Sequence, residues 1–272
     1  MRPCFAAIVI AVLSGAVVHA QTDVVRILES DANAAVLGTD AFSLRVDRTG
    51  AISQVMVGET ELCWLIRLYT SPVVPETGEK LRAVQGEVSR GGIGPAPETI
   101  VPEIRGENGS IFIRRTCSRE EIDGAAPLYE LAQAVTVHPS GLINLHYEFD
   151  WLHVLDMPSA NLIIALRAAP LDGCLWNADL TTQTMGGIID AAPEATSIAL
   201  RNTTLRTFTA RCPDGDLDLW LNASGPVSAR RWNQDDYAFF LTVPHTGHEG
   251  PIYPGVRSVI DVDLKLPVPR ED

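Results

Sequence analysis

The run Leu128–Trp151 limits the possible folds of this chain more than any other stretch. It reads as strand, tight turn, strand, and its second half alternates without interruption. Ile143, Leu145, Tyr147, Phe149 and Trp151 fall on one face, and Asn144, His146, Glu148 and Asp150 on the other. Strand side chains alternate with a period of two, so one face can enter a core while the other gathers four polar groups. Between the halves, His138-Pro139-Ser140-Gly141 has Pro second and Gly fourth, the order that a type I turn followed by glycine favours.

The same rhythm recurs from end to end, and helical periodicity is absent. Val24–Glu29, Leu62–Thr70, Ile111–Cys117, Asn161–Arg167, Thr196–Leu200, Leu205–Cys212, Asp216–Asn222, Val227–Trp232, Tyr237–Val243 and Val256–Leu266 all read as strands. Phe42, Leu44 and Val46 alternate into an Asp47–Gly50 turn. Beyond it the parity changes between Ile52 and Val55, which predicts a bulge. Many short strands joined by Gly, Pro and Asp turns predict an all-β chain, a sandwich of large antiparallel sheets with little or no helix. Ser71–Ser110, rich in Pro, Gly and Glu, reads as a long irregular loop of the kind that binds a partner or ligand. With no shift in composition and no short repeat, residues 21–272 form one expected domain.

Residues 1–20 read as a signal peptide. Arg2 precedes an apolar run from Phe5 to Val18, and Val18-His19-Ala20 matches the small-residue cleavage pattern. The run is too short for a good membrane span, so a secreted or periplasmic product is expected, with no membrane insertion. Removing Arg2 leaves 20 basic residues against 34 acidic ones. That charge repels phosphate backbones and disfavours nucleic acid as a partner. Four cysteines remain, Cys63, Cys117, Cys174 and Cys212, and none is in a CxxC pair. In an exported chain they predict two disulfides; of the three possible pairings, neighbours in sequence (Cys63–Cys117 and Cys174–Cys212) are preferred.

Two hairpins carry a family resemblance. The segment Ala41–Ile52 reads Phe-x-Leu-x-Val-Asp followed by Gly-x-Ile, and Val135–Ile143 is a strand–Gly–strand unit near the middle. In order and spacing the chain resembles the galactose-mutarotase-like β-supersandwich, a fold of sugar mutarotases and of accessory domains in glycoside hydrolases and polysaccharide lyases. The resemblance implies a cupped sheet that binds carbohydrate. If the chain is an enzyme, it implies a sugar epimerase or mutarotase, or a relative of glycan hydrolases and lyases. Mutarotases open and reclose a sugar ring with a carboxylate base and histidine acids, and their catalytic motifs find no residue-by-residue match here.

Three groups of residues could carry chemistry. Along Asn144, His146, Glu148 and Asp150, alternate side chains stand about 7 Å apart, a spacing that fits several hydroxyls of one sugar. His146 and Glu148 could act as an acid–base pair, although a solvated outer strand would carry the same pattern. His245, His248 and Glu249 lie in a Pro/Gly-framed loop and could present an acid and a base; their spacing matches no zinc motif, and no metal is expected. Trp220 beside Asp218, and Trp232 near Asn233 and Asp235, offer indole rings next to polar groups, as pyranose sites do. There is no Gly-x-Ser-x-Gly elbow and no phosphate-binding loop, and Gly91-Gly92-Ile93-Gly94 reads as a turn, so no cofactor is expected. The partner expected is a carbohydrate or another polar small molecule. The alternative is a non-catalytic envelope or extracellular module that docks a partner through the Ser71–Ser110 loop.

Overall fold

The computed structural model describes residues 24–70, 78, 82–84, 87–89, 103–107, 109–118, 129–152, 154, 160–212, 215–221, 226–242 and 251–268. Among them are twenty strands, one 3-10 turn at Ala169–Leu171 and no α-helix. The strands are β1 (Arg26–Ser30), β2 (Ala34–Gly38), β3 (Phe42–Asp47), β4 (Ile52–Val57), β5 (Thr60–Thr70), β6 (Arg82–Val84), β7 (Glu87–Ser89), β8 (Glu103–Glu107), β9 (Ser110–Ser118) and β10 (Tyr129–Val137). They continue as β11 (Leu142–Trp151), β12 (Ala160–Arg167), β13 (Leu175–Leu180), β14 (Thr184–Ile188), β15 (Leu200–Thr203), β16 (Leu205–Cys212), β17 (Gly215–Leu221), β18 (Val227–Arg231), β19 (Asp236–Thr242) and β20 (Arg257–Lys265).

They form two antiparallel sheets. An eleven-stranded first sheet runs β1-β2-β3-β4-β5-β12-β19-β18-β15, with β6 on β5 and β7 on β6. A nine-stranded second sheet runs β14-β13-β16-β17-β20-β11-β10-β9-β8. The apolar rows of both sheets face each other. Ile143, Leu145, Tyr147, Phe149 and Trp151 are buried, as are Leu162, Ile164 and Leu166 opposite them on β12. Tyr129, Phe149 and Trp151 pack ring on ring at 4.9–5.5 Å, and the Trp151 indole donates to Ser258 Oγ at 3.0 Å, so the buried N–H has its acceptor.

One buried amide ties the sheets together. Gln133, on β10, is 2% exposed and donates from Nε2 to the Gly50 carbonyl at 2.8 Å. Gly50 closes the β3–β4 turn at φ +83°, where Asp47 Oδ1 accepts from the N–H groups of Thr49 and Ala51 at 2.8 and 3.1 Å. The expected bulge follows: Arg45 pairs with Gln54 but Val46 with Ile52, which leaves Ser53 unopposed. The His138–Gly141 turn also closes as expected, Gly141 N donating to His138 O at 2.9 Å with φ +78°.

Several expectations need correction. The 71–110 stretch holds β6, β7 and β8, the last pairing with β9 in the second sheet. Residues 196–199 are not strand; β15 begins at Leu200, while Ile198 is buried beside it. Cys174 and Cys212 form a disulfide, and their link spans 38 positions. Cys63 does not pair: it is a free, fully buried thiol on β5, and Cys117 belongs to β9 of the other sheet. Burial pushes the Cys63 thiol up to about 12, against the weaker pull of hydrogen bonds to the backbone at Leu65 and Ala165. The signal-peptide segment lies outside the described residues.

Candidate functional site

The polar row of β11 gains its partners from β20, more than a hundred residues later in the chain. The register sets Asn144 opposite Asp263, His146 opposite Asp261 and Asp150 opposite Arg257. Directly opposed residues on antiparallel strands share a face, so these side chains meet on the outside of the second sheet. Asn144 Nδ2 donates to Asp263 Oδ1 at 2.6 Å. His138 Nε2, itself 3.1 Å through Nδ1 from Ser110 Oγ, stands 2.6 Å from Asn144 Oδ1. His146 Nδ1 lies 2.5 Å from Asp261 Oδ1, and its Nε2 lies 3.6 Å from Glu148 Oε2.

Arg257 closes the other end of the row. Its Nη1 sits 3.2 Å from Glu148 Oε1 and its Nε donates to Asp150 Oδ1 at 3.0 Å. The hydrogen bond to Asp150, then the charges of Asp150 and Glu148, raise the Arg257 pKa above its ordinary value. The result is a chain of partly exposed groups, Asp261–His146–Glu148–Arg257–Asp150, in which Arg257 sits between the carboxylates of Glu148 and Asp150. An imidazole held by a carboxylate on Nδ1 has a fixed orientation and offers Nε2 outward, an arrangement able to donate to or accept from a hydroxyl.

Trp220 joins this face. On β17 it pairs with Asp263, which pairs in turn with Asn144, so the indole stands two strands away, roughly 10 Å, on the same transverse row. It is 38% exposed. Asp218, next to it on that face, is held by Arg211 Nη1 at 2.9 Å, as is Asp216.

Trp232 does not belong to this group. It follows β18 of the first sheet, stacks on Trp64 with ring centres 5.7 Å apart, and meets Phe240 edge-on at 5.9 Å. Leu65, Ile163, Ala165 and Ala238 form a small apolar cluster on that outer side, separate from the main core, with Trp64, Tyr69 and Phe240 packed against it. His245, His248 and Glu249 lie outside the described residues. Among the described residues, no group of three or more His, Cys, Asp and Glu side chains is placed to hold a metal ion.

Sequence reasoning missed a second cluster entirely. Arg167, at the end of β12, donates from Nε to Glu61 Oε2 at 2.6 Å and from Nη1 to Asp236 Oδ1 at 3.0 Å, and Asp236 is wholly buried. Burial opposes the charge on Arg167, but the hydrogen bond and charge of Glu61, with Asp236, outweigh it and raise its pKa. The guanidinium lies 5.6 Å over the Trp64 ring. No local pattern shows this corner, because its members come from three separate strands, β5, β12 and β19.

No protein-family model matches the chain, and no curated protein matches it. Among solved structures, a galactose mutarotase-like protein from Clostridium acetobutylicum superposes with a TM-score of 0.53 at 6% identity, covering 89% of this chain and 98% of that one. The galactose 1-epimerase of Lactobacillus acidophilus NCFM gives 0.48 at 9% identity, over 89% and 97% of the two chains. An aldose epimerase homologue from C. elegans gives 0.45 at 8%, over 83% and 95%. The chain therefore has the galactose-mutarotase-like β-sandwich fold, on the strength of the first of these superpositions. At such identities the likeness concerns fold alone.

Proposed function

We propose that this is an exported saccharide-binding protein whose ligand lies across the outer face of the second sheet. One observation carries the reading: the exposed Trp220 shares a transverse row with Asp263 and Asn144, and the His146–Asp261 couple stands one row further along. An indole supplies an apolar surface for a pyranose ring, and paired carboxylates, amide and imidazole supply both donors and acceptors for its hydroxyls. The fold adds support, since the superposed Clostridium acetobutylicum protein is described as galactose mutarotase-like. Export is supported by the leader-like residues 1–20 and by the Cys174–Cys212 disulfide, a bond that persists in oxidising compartments.

A catalytic version of the same reading rests on the Asp261–His146 couple. With Nδ1 occupied by Asp261, His146 Nε2 is the atom that would pass a proton to or from a ring oxygen, and Glu148 is the nearest carboxylate to share it. Calorimetric titration with galactose, glucose and short oligosaccharides tests binding, and polarimetry of freshly dissolved α-galactose tests anomerisation. The reading expects saturable binding of at least one sugar, weakened tenfold or more in Trp220→Ala and His146→Ala. Failure of every sugar to bind, or binding untouched by both variants, would falsify it.

A further inference from the structure

A cleft lies at the corner of the first sheet, away from the polar row. Its volume is about 470 Å³, and its walls include Thr60, Glu61, Arg167, Arg231, Gln234 and Asp235. Arg231 is the unusual member. Its Nε donates to the Asn233 carbonyl at 3.1 Å, its Nη2 donates to the carbonyls of Ala191 and Gln234, and its plane lies 4.7 Å over the Tyr237 ring. All these partners are neutral. Arg231 has no ion pair among the described residues, and its buried Nη1 has no hydrogen-bond partner.

The corner thus holds a cleft, one guanidinium whose charge no carboxylate balances, and on that guanidinium a buried donor without an acceptor. A buried donor left without an acceptor costs about 1–3 kcal/mol, more for a charged group, and an oxyanion from outside would remove that cost. The other guanidinium is already neutralised by Glu61 and Asp236. Glu61 and Asp235 also border the cleft, which weighs against a dianion and favours a single negative charge. Thr60, Gln234 and the two carboxylates place hydroxyl-sized partners around it, and behind Arg167 stands the stacked Trp64–Trp232 pair.

We propose that this cleft is a separate binding site for a small hydroxylated carboxylate, a sugar acid, whose carboxylate meets Arg231 and whose hydroxyls meet Thr60, Glu61 and Gln234. The test is titration of the purified protein with glucuronate, glucose and glucose 6-phosphate, followed by calorimetry and by the indole N–H signals of its tryptophans. The proposal expects one saturable glucuronate site, at least tenfold tighter than glucose, weakened by added salt and sensed by the Trp64 indole through Arg167. Gln234→Glu places a carboxylate on an exposed turn residue at the cleft and should weaken glucuronate tenfold or more without unfolding the protein; Arg231→Gln should abolish binding if it folds. His146→Ala should leave this site unchanged, so its outcome is independent of the second-sheet reading. Equal affinity for glucose, tighter binding of the phosphate, indifference to Gln234→Glu, or no saturable binding would each overturn the proposal.

Discussion

Replacing Gly50 by Ala tests how the two sheets are fastened. Gly50 sits at φ +83°, where an added Cβ costs about 1–2 kcal/mol on steric grounds alone. That Cβ would also stand 2.7 Å from Gln133 Oε1, closer than real Cβ contacts allow. Gln133 is 2% exposed and already uses Nε2 on the Gly50 carbonyl, so it can retreat only by breaking that bond inside the core. Leaving those buried groups unpaired adds about 1–3 kcal/mol, for a total near 2–5 kcal/mol. In a Gln133→Ala background the steric conflict is gone, and Gly50→Ala should cost only its backbone share of about 1–2 kcal/mol. The assay is guanidinium unfolding followed by tryptophan fluorescence on the wild type, both single variants and the double variant, read as a coupling energy of about 1–3 kcal/mol. A Gly50→Ala cost below about 0.5 kcal/mol, or equal costs in both backgrounds, would refute the reasoning.

Cys174→Ser, or reduction of the wild type, should lower stability by about 4 kcal/mol in the chain-entropy model for a loop of this length, read as a drop in the guanidinium midpoint. Cys63 should resist alkylation in the folded protein and react once it is unfolded. Because burial raises its folded pKa to about 12, its contribution is complete below the unfolded thiol pKa of about 8.5 and is lost as pH rises towards 12. Unfolding between pH 7 and 11 should therefore show a steeper alkaline loss for wild type than for Cys63→Val, and parallel curves would contradict the assignment. Phe149→Ala removes a ring stacked at 4.9 Å on Trp151 and should cost about 3–5 kcal/mol, measured by the same unfolding assay.

The fold was legible where one face of a strand is apolar and the other polar. β3, β11 and β20 alternate so regularly that their inner rows could be named from the sequence. β2, β13 and β14 were missed because Ala, Gly, Asn and Asp, which strands disfavour, break up their short patterns. β14 even carries Gly186, where a Cβ would come within 2.7 Å of the Trp176 carbonyl oxygen, so close packing excluded a more telling residue. Alternation also reveals the face of a strand but not its sheet. Trp220 and Trp232 look alike in sequence, yet one stands on the outside of the second sheet and the other beside the first. The same limit explains the cysteines: Cys63 and Cys117 are neighbours in sequence, but β5 and β9 are in different sheets. His146 could be named from local pattern, whereas its partner Asp261 lies 115 positions away and emerges only from the β11–β20 register.

The saccharide reading meets its most direct test in the indole N–H signals of the five tryptophans during a galactose titration. Trp220→Phe assigns the residue on the polar face, and Trp232→Phe assigns the one beside the first sheet. The account predicts that galactose moves the Trp220 signal in a saturable way and leaves Trp64, Trp151, Trp176 and Trp232 in place. A titration that moves only Trp64 or Trp232, or moves none of the five, would contradict a ligand face built on His146, Asp261 and Trp220.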